Sequence, residues 1–189
     1  MLGKGFVLGI VATLAVAALV GYVGINQGLL IPANADAAPG KFETWIAKRS
    51  LHAEIAREAP KGDNPVPATE VNFVEGIKLY GYHCAACHGV ADGKPSTIAI
   101  GLYQHAPQLS ADGVEDDPDG VTYWKIAHGI RLTGMPSYGK SLSERQMWTI
   151  ALFLKHMDAL PPVAEKAWKT LKNPVALAPE SAIPRDARK

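Results

Sequence analysis

Apolar and polar positions divide the chain into one unbroken apolar run, several stretches of helical period, and joints rich in Pro and Gly. The run comes first. Phe6 to Ile25 carries no charged side chain, and about twenty apolar residues in helical form span a bilayer core. Lys41 to Glu58 has no Pro or Gly and places Phe42, Trp45 and Ile46 on one face, which predicts an amphipathic helix. Pro60, Gly62, Pro65 and Pro67 end it. A helix follows from Asn72 to Tyr82, with Asn72 and Glu75 as an N-terminal capping pair and Gly76 and Tyr80 on a shared face. A glycine inside a helix costs about 1 kcal/mol relative to Ala, so Gly76 marks the close approach of another helix.

Val90 to Gly113 reads as loop, with a short helix within Thr97 to Gln104. Pro118 to His128 reads as helix, with Asp117 as N-cap, Pro118 in first position and Gly129 ending it. Gly134-Met135-Pro136 lies in an irregular stretch. Ser143 and Gln146 make a capping box that opens the strongest helix, Glu144 to Met157, whose apolar face holds Met147, Ile150, Ala151, Leu154 and Met157. Pro161-Pro162 stops it. Val163 to Leu171 is read as a brief helix, and Asn173 to Lys189, with three prolines, as a tail. The resulting expectation is an all-α protein divided into an anchor over 1–31, a linker with an amphipathic helix over 32–68, a domain over 69–160 and a C-terminal extension or tail over 161–189.

Composition changes this picture little. A chain of 189 residues suits one compact domain with appendages. Its net charge of +1 argues against a nucleic-acid binder. The charge is unevenly placed, however. Five acids, Asp112, Glu115, Asp116, Asp117 and Asp119, form either a solvated loop or a docking patch for a basic redox partner.

The two cysteines change it most. Cys84-Ala85-Ala86-Cys87-His88 is the c-type haem attachment pattern. Two thiols three residues apart reach the two vinyl groups of one haem, and the imidazole that follows is held against the iron. A thiol–disulfide site is the first rival, but it usually follows a strand in a βαβ pattern, and none surrounds this motif. A structural zinc is the second, but with only two cysteines a four-cysteine cage is excluded.

From Asn72 to Leu160 the chain resembles a single-haem class I cytochrome c of the membrane-anchored kind. The resemblance rests on Cys84 to Gly89, on Gly76 to Tyr80, on Ile126-Ala127-His128-Gly129 with Gly134-Met135-Pro136-Ser137-Tyr138, and on Ala151-Leu152-Phe153-Leu154. It implies a class I cytochrome c fold around one haem c, covalent through Cys84 and Cys87, with an N-terminal transmembrane helix. His88 is the expected proximal iron ligand and Met135 the opposite one. His83, His105 and His128 are the alternatives for that position, while Met147 and Met157 read as core filler. Ala106-Pro107-Gln108-Leu109 resembles the loop whose proline carbonyl accepts the proximal histidine N–H. Pro95 is the alternative. Arg131, Trp124, Tyr103 and Tyr138 are candidates to pair with propionates or wall the cleft.

The implied function is one-electron transfer, as a membrane-tethered shuttle or as the haem subunit of a respiratory or dehydrogenase complex. It needs donor and acceptor proteins and is not an enzyme activity. The rival is a haem enzyme or gas sensor with an exchangeable sixth ligand. Lys4 before the apolar run puts the N-terminus in the cytoplasm. The haem domain then lies on the periplasmic or outer side of the cytoplasmic membrane. A cleaved signal peptide is the competing reading, since Ala33-Asn34-Ala35 and Ala35-Asp36-Ala37 resemble cleavage sites.

Overall fold

The computed structural model describes residues 3–29 and 33–182. All regular structure in it is helical apart from an isolated antiparallel bridge between Ser96 and Leu177. The chain divides into two units, Met1–Ala37 and Ala38–Lys189.

The first unit holds α1, Lys4–Asn26, long and apolar enough to cross a membrane. Its 23 residues rise about 34 Å at 1.5 Å each, and its side chains are exposed along its length.

In the second unit, α2 (Lys41–Glu58) is followed by α3 (Glu70–His83), the single turns α4 (Ala85–His88), α5 (Thr97–Gly101) and α6 (Leu109–Asp112), and then α7 (Asp119–His128), α8 (Glu144–Lys155) and α9 (Pro162–Thr170). The core lies where α3 crosses α8. Gly76 makes that crossing possible, since a Cβ there would sit 2.5 Å from the Thr149 carbonyl oxygen and 2.8 Å from the Phe153 Cβ. Tyr80, Ile150, Ala151 and Phe153 are fully buried around it.

Two helix starts differ from expectation. Thr69, not Asn72, caps α3: its Oγ1 accepts the Asn72 N–H at 3.3 Å. The buried Asn72 side chain instead donates to the Pro67 carbonyl at 2.8 Å and accepts from Arg145 on α8 at 3.1 Å. Tertiary partners thus take the group that local pattern assigns to capping. At α7 the N-cap is Pro118, because the Asp117 carboxylate is drawn to the Lys125 ammonium at 2.5 Å. Ser143 and Gln146 do form their capping box on α8.

The flanking segments are built into the second unit. On α2, Ile55 and Ala59 pack with Trp124 of α7, helped by Leu51 and Val121. The Pro60 carbonyl approaches Gly120 so closely that a Cβ there would overlap it. After Pro161 the chain continues as α9, close to the brief helix expected over Val163 to Leu171. Ala164 and Trp168 of α9 are buried on α3, with the Trp168 ring edge-on to Tyr80 at 5.5 Å and to Phe153 at 5.1 Å. Beyond α9, the Thr97 N–H donates to the Ala176 carbonyl and the Ala178 N–H to the Pro95 carbonyl, each at 2.9 Å. Residues 183–189 of the expected tail lie outside the described residues.

Candidate functional site

The Cys84 to His88 motif is a single helical turn with Cys84 closing α3 and Gly89 ending α4 at φ 74°. No disulfide joins the two thiols, and both are half-buried. Burial pushes the Cys84 thiol up to about 12 and raises Cys87 as well. Among the described residues no group of three His, Cys, Asp or Glu side chains converges on one point.

The turn is held by its carbonyls. Ala85 O accepts from Asn173 Nδ2 at 3.0 Å, Ala86 O from Ser96 Oγ, and Cys87 O from Gln108 Nε2 at 3.0 Å. Tyr80 OH donates to both His88 O, at 3.2 Å, and Gly89 O, at 2.9 Å. Ser110 Oγ donates to Val90 O at 2.8 Å. Every carbonyl from Ala85 to Val90 therefore meets a side-chain donor. The donors come from α3, from the loop segments around α5 and α6, and from the segment after α9. A half-buried loop with no unsatisfied acceptor has little reason to rearrange. Gln108 also lies against Gly89 so tightly that a Cβ there would overlap its Oε1.

His88 is oriented in the same way. Its Nδ1–H donates to the Pro107 carbonyl oxygen at 2.9 Å. The Pro95 carbonyl is taken by Ala178. Since a carbonyl only accepts, Nδ1 carries a proton, and in the neutral ring Nε2 then keeps its lone pair. Burial lowers the His88 pKa, and the Pro107 bond partly opposes it. This geometry presents Nε2 for ligation.

Met135 is half-buried in a loop after α7. Its N–H donates to Thr133 Oγ1 at 3.1 Å and its carbonyl accepts from the Ile130 N–H at 3.2 Å. Gly129, at φ 66°, lets the Met135 and Pro136 carbonyls press against it. Gly134 gives room to the Leu102 side chain. The Tyr138 and Gly139 N–H groups donate to Ile126 O and Ala127 O on α7. Tyr138 OH then donates to His83 O at 2.5 Å, tying this loop to the chain just before Cys84. Burial pushes the Tyr138 phenol up to about 12, so it remains a donor.

The other candidates are exposed or engaged by other parts of the fold. Arg131 is exposed. Trp124 is turned into the seam with α2 and His128 leans on its ring at 4.9 Å. Tyr103 OH donates to Glu43 of α2 at 2.5 Å. His105 is exposed, and His83 packs edge-on to Tyr138 at 5.7 Å. Met147 and Met157 are buried in the core. Within the acidic stretch, Asp117 pairs with Lys125, and Lys155 donates to the carbonyls of Glu115 and Asp117. Sequence reasoning missed Ser96, Ser110 and Asn173, and gave Gln108 no role beyond its place in the Pro107 loop. None has a spacing that marks it, since each acts across a long stretch of chain.

A family model described as Cytochrome C oxidase, cbb3-type, subunit III, matches residues 72–154. Residues 72–154 are a cytochrome c domain. No solved structure matches the chain. The family implies haem c, and the donor set of the domain fits that group: two neutral thiols on one turn and an imidazole presenting Nε2. Cytochrome c domains are typically electron carriers and usually lie outside the cytoplasm, and the apolar α1 points to a membrane anchor or a signal sequence. The match ends before α9, so Trp168 and Asn173 brace the domain from outside it.

Proposed function

We propose that this chain carries single electrons through one haem c bound by thioether bonds from Cys84 and Cys87, with His88 as proximal ligand and Met135 opposite. The bound group supplies a reversible one-electron couple. The observation that carries the reading is the His88 Nδ1–Pro107 bond of 2.9 Å on a turn whose carbonyls are all engaged. The side chains that hold the turn keep the imidazole in place, and a fixed imidazole limits rearrangement between oxidation states. Pro107 orients His88. Tyr138, braced on His83, walls the cleft, and the exposed Arg131 guanidinium is available to a propionate. No catalytic group is assigned, and the role is that of a carrier.

Residues 1–31 anchor the chain in the cytoplasmic membrane, 32–68 lead from it, and the cytochrome c domain, 69–160 with the extension from 161, lies on the periplasmic or outer side. Its partners are a donor and an acceptor protein. It acts as a tethered shuttle or as the haem subunit of a larger complex, and the family description, a subunit of an oxidase, supports the second form.

The test uses the full chain purified in mild detergent. The ferric protein is expected to show the weak near-infrared band of methionine–iron charge transfer, and Met135→Ala to remove it. A band that survives the substitution assigns the position to another residue. High-spin iron that readily binds carbon monoxide on reduction refutes the carrier reading. Carbonate-resistant association with membranes separates a retained anchor from a cleaved signal.

A further inference from the structure

The N-terminal half of α2 shows large apolar side chains to solvent while the rest of the helix is used for packing. Phe42 is 73% exposed, Trp45 60% and Ile46 49%. The Phe42 and Trp45 rings stack at 5.9 Å and 28°. At 100° per residue these three side chains share one face, and Leu51 and Ile55 occupy roughly the opposite one. That opposite face is the one packed on α7. The exposed cluster is therefore not a core face left open by fraying. The helix is fixed from behind, and Glu43 is held on its flank by Tyr103.

Charge follows the same division. Residues 41–50 carry Lys41, Lys48 and Arg49 against Glu43, net +2, while 51–58 carry Arg57 against Glu54 and Glu58, net −1. Aromatic rings beside an aliphatic side chain, flanked by Lys and Arg, match the chemistry of a lipid–water interface with anionic headgroups. Chain length points the same way. Only fourteen residues, Gln27 to Gly40, separate α1 from α2. Fully extended they reach at most about 50 Å, so α2 begins within a short tether of whatever bilayer α1 crosses.

We infer that Phe42, Trp45 and Ile46 form a membrane-seating surface that lies in the headgroup layer of an anionic bilayer. This rests on the reading of α1 as a retained anchor. Because α2 is clamped to α7, and Glu43 to the Tyr103 loop, seating this face orients the whole second unit. The cytochrome c domain then meets its partners in one aspect rather than swinging on a loose tether.

The experiment reconstitutes the full chain in vesicles of phosphatidylethanolamine and phosphatidylglycerol, with a nitroxide at Ile46→Cys or, as control, at the exposed Glu54→Cys. Collision with dissolved oxygen is compared with collision with a water-soluble nickel chelate. The expected result is an oxygen-to-nickel ratio several-fold higher at 46 than at 54, falling to the control level when Phe42→Ser and Trp45→Ser are added. Equal ratios at 46 and 54 in a chain that resists carbonate extraction overturn the seating surface and leave the anchor standing. Protection of 46 from both reagents means that protein covers the face, and also overturns it. A chain released by carbonate refutes the anchor, and the seating surface falls with it.

Discussion

Gly76→Ala tests the crossing of α3 and α8 on which the domain is built. The added methyl would lie 2.5 Å from the Thr149 carbonyl oxygen and 2.8 Å from the Phe153 Cβ. Neither neighbour can rotate away: one is helix backbone and the other is fixed to it. The helices must separate, or Phe153 must shift against Tyr80 and Trp168, whose rings it meets at 5.4 and 5.1 Å. Overpacking of this kind costs about 1–3 kcal/mol, and the rigid contacts favour the upper end. Replacing Gly by Ala within a helix returns about 1 kcal/mol. The net loss is about 2 kcal/mol, which for a unit of this size lowers Tm by about 4–8 °C. Thermal unfolding of the intact protein, followed by far-UV circular dichroism, measures it. A variant as stable as the parent, or more so, would show that the helices do not approach at Gly76 and would refute the packing argument.

Three further outcomes are expected. Tyr80→Phe removes the donor shared by His88 O and Gly89 O and costs about 1–3 kcal/mol in denaturant unfolding; an unchanged midpoint would mean that water already serves those carbonyls. Trp168→Ala empties a buried site against Tyr80 and Phe153 and costs about 3–5 kcal/mol, whereas a free tail would show no effect. Asn173→Ala removes the donor to Ala85 O; amide exchange across residues 85–89 should accelerate, with a stability loss of about 1 kcal/mol, and unaltered exchange would count against the clamp.

The haem motif, α1, α2 and the capping box of α8 were legible in the sequence because each is a local pattern. An unbroken apolar run, a stretch free of Pro and Gly and a Ser-x-x-Gln signature need no knowledge of what lies across the fold. Met135 was legible as a candidate only through its Gly and Pro neighbours. What packs behind α2 was not, because Ile55 and Ala59 depend on Trp124 and on a glycine, Gly120, whose lack of a side chain admits Pro60.

By itself the sequence determined the C-x-x-C-H motif of the site and the helical class of the chain, since both follow from residue identity at short spacing. Tertiary structure decided what holds the site. Asn72 left its capping place for Arg145, 73 positions away, and Asp117 left its own for Lys125. The segment after Pro161 became a brace, because Trp168 found a cleft between Tyr80 and Phe153, and Asn173 found a carbonyl 88 positions earlier. A polar side chain competes for every partner that folding brings near it, and a one-dimensional pattern records only those within a turn or two.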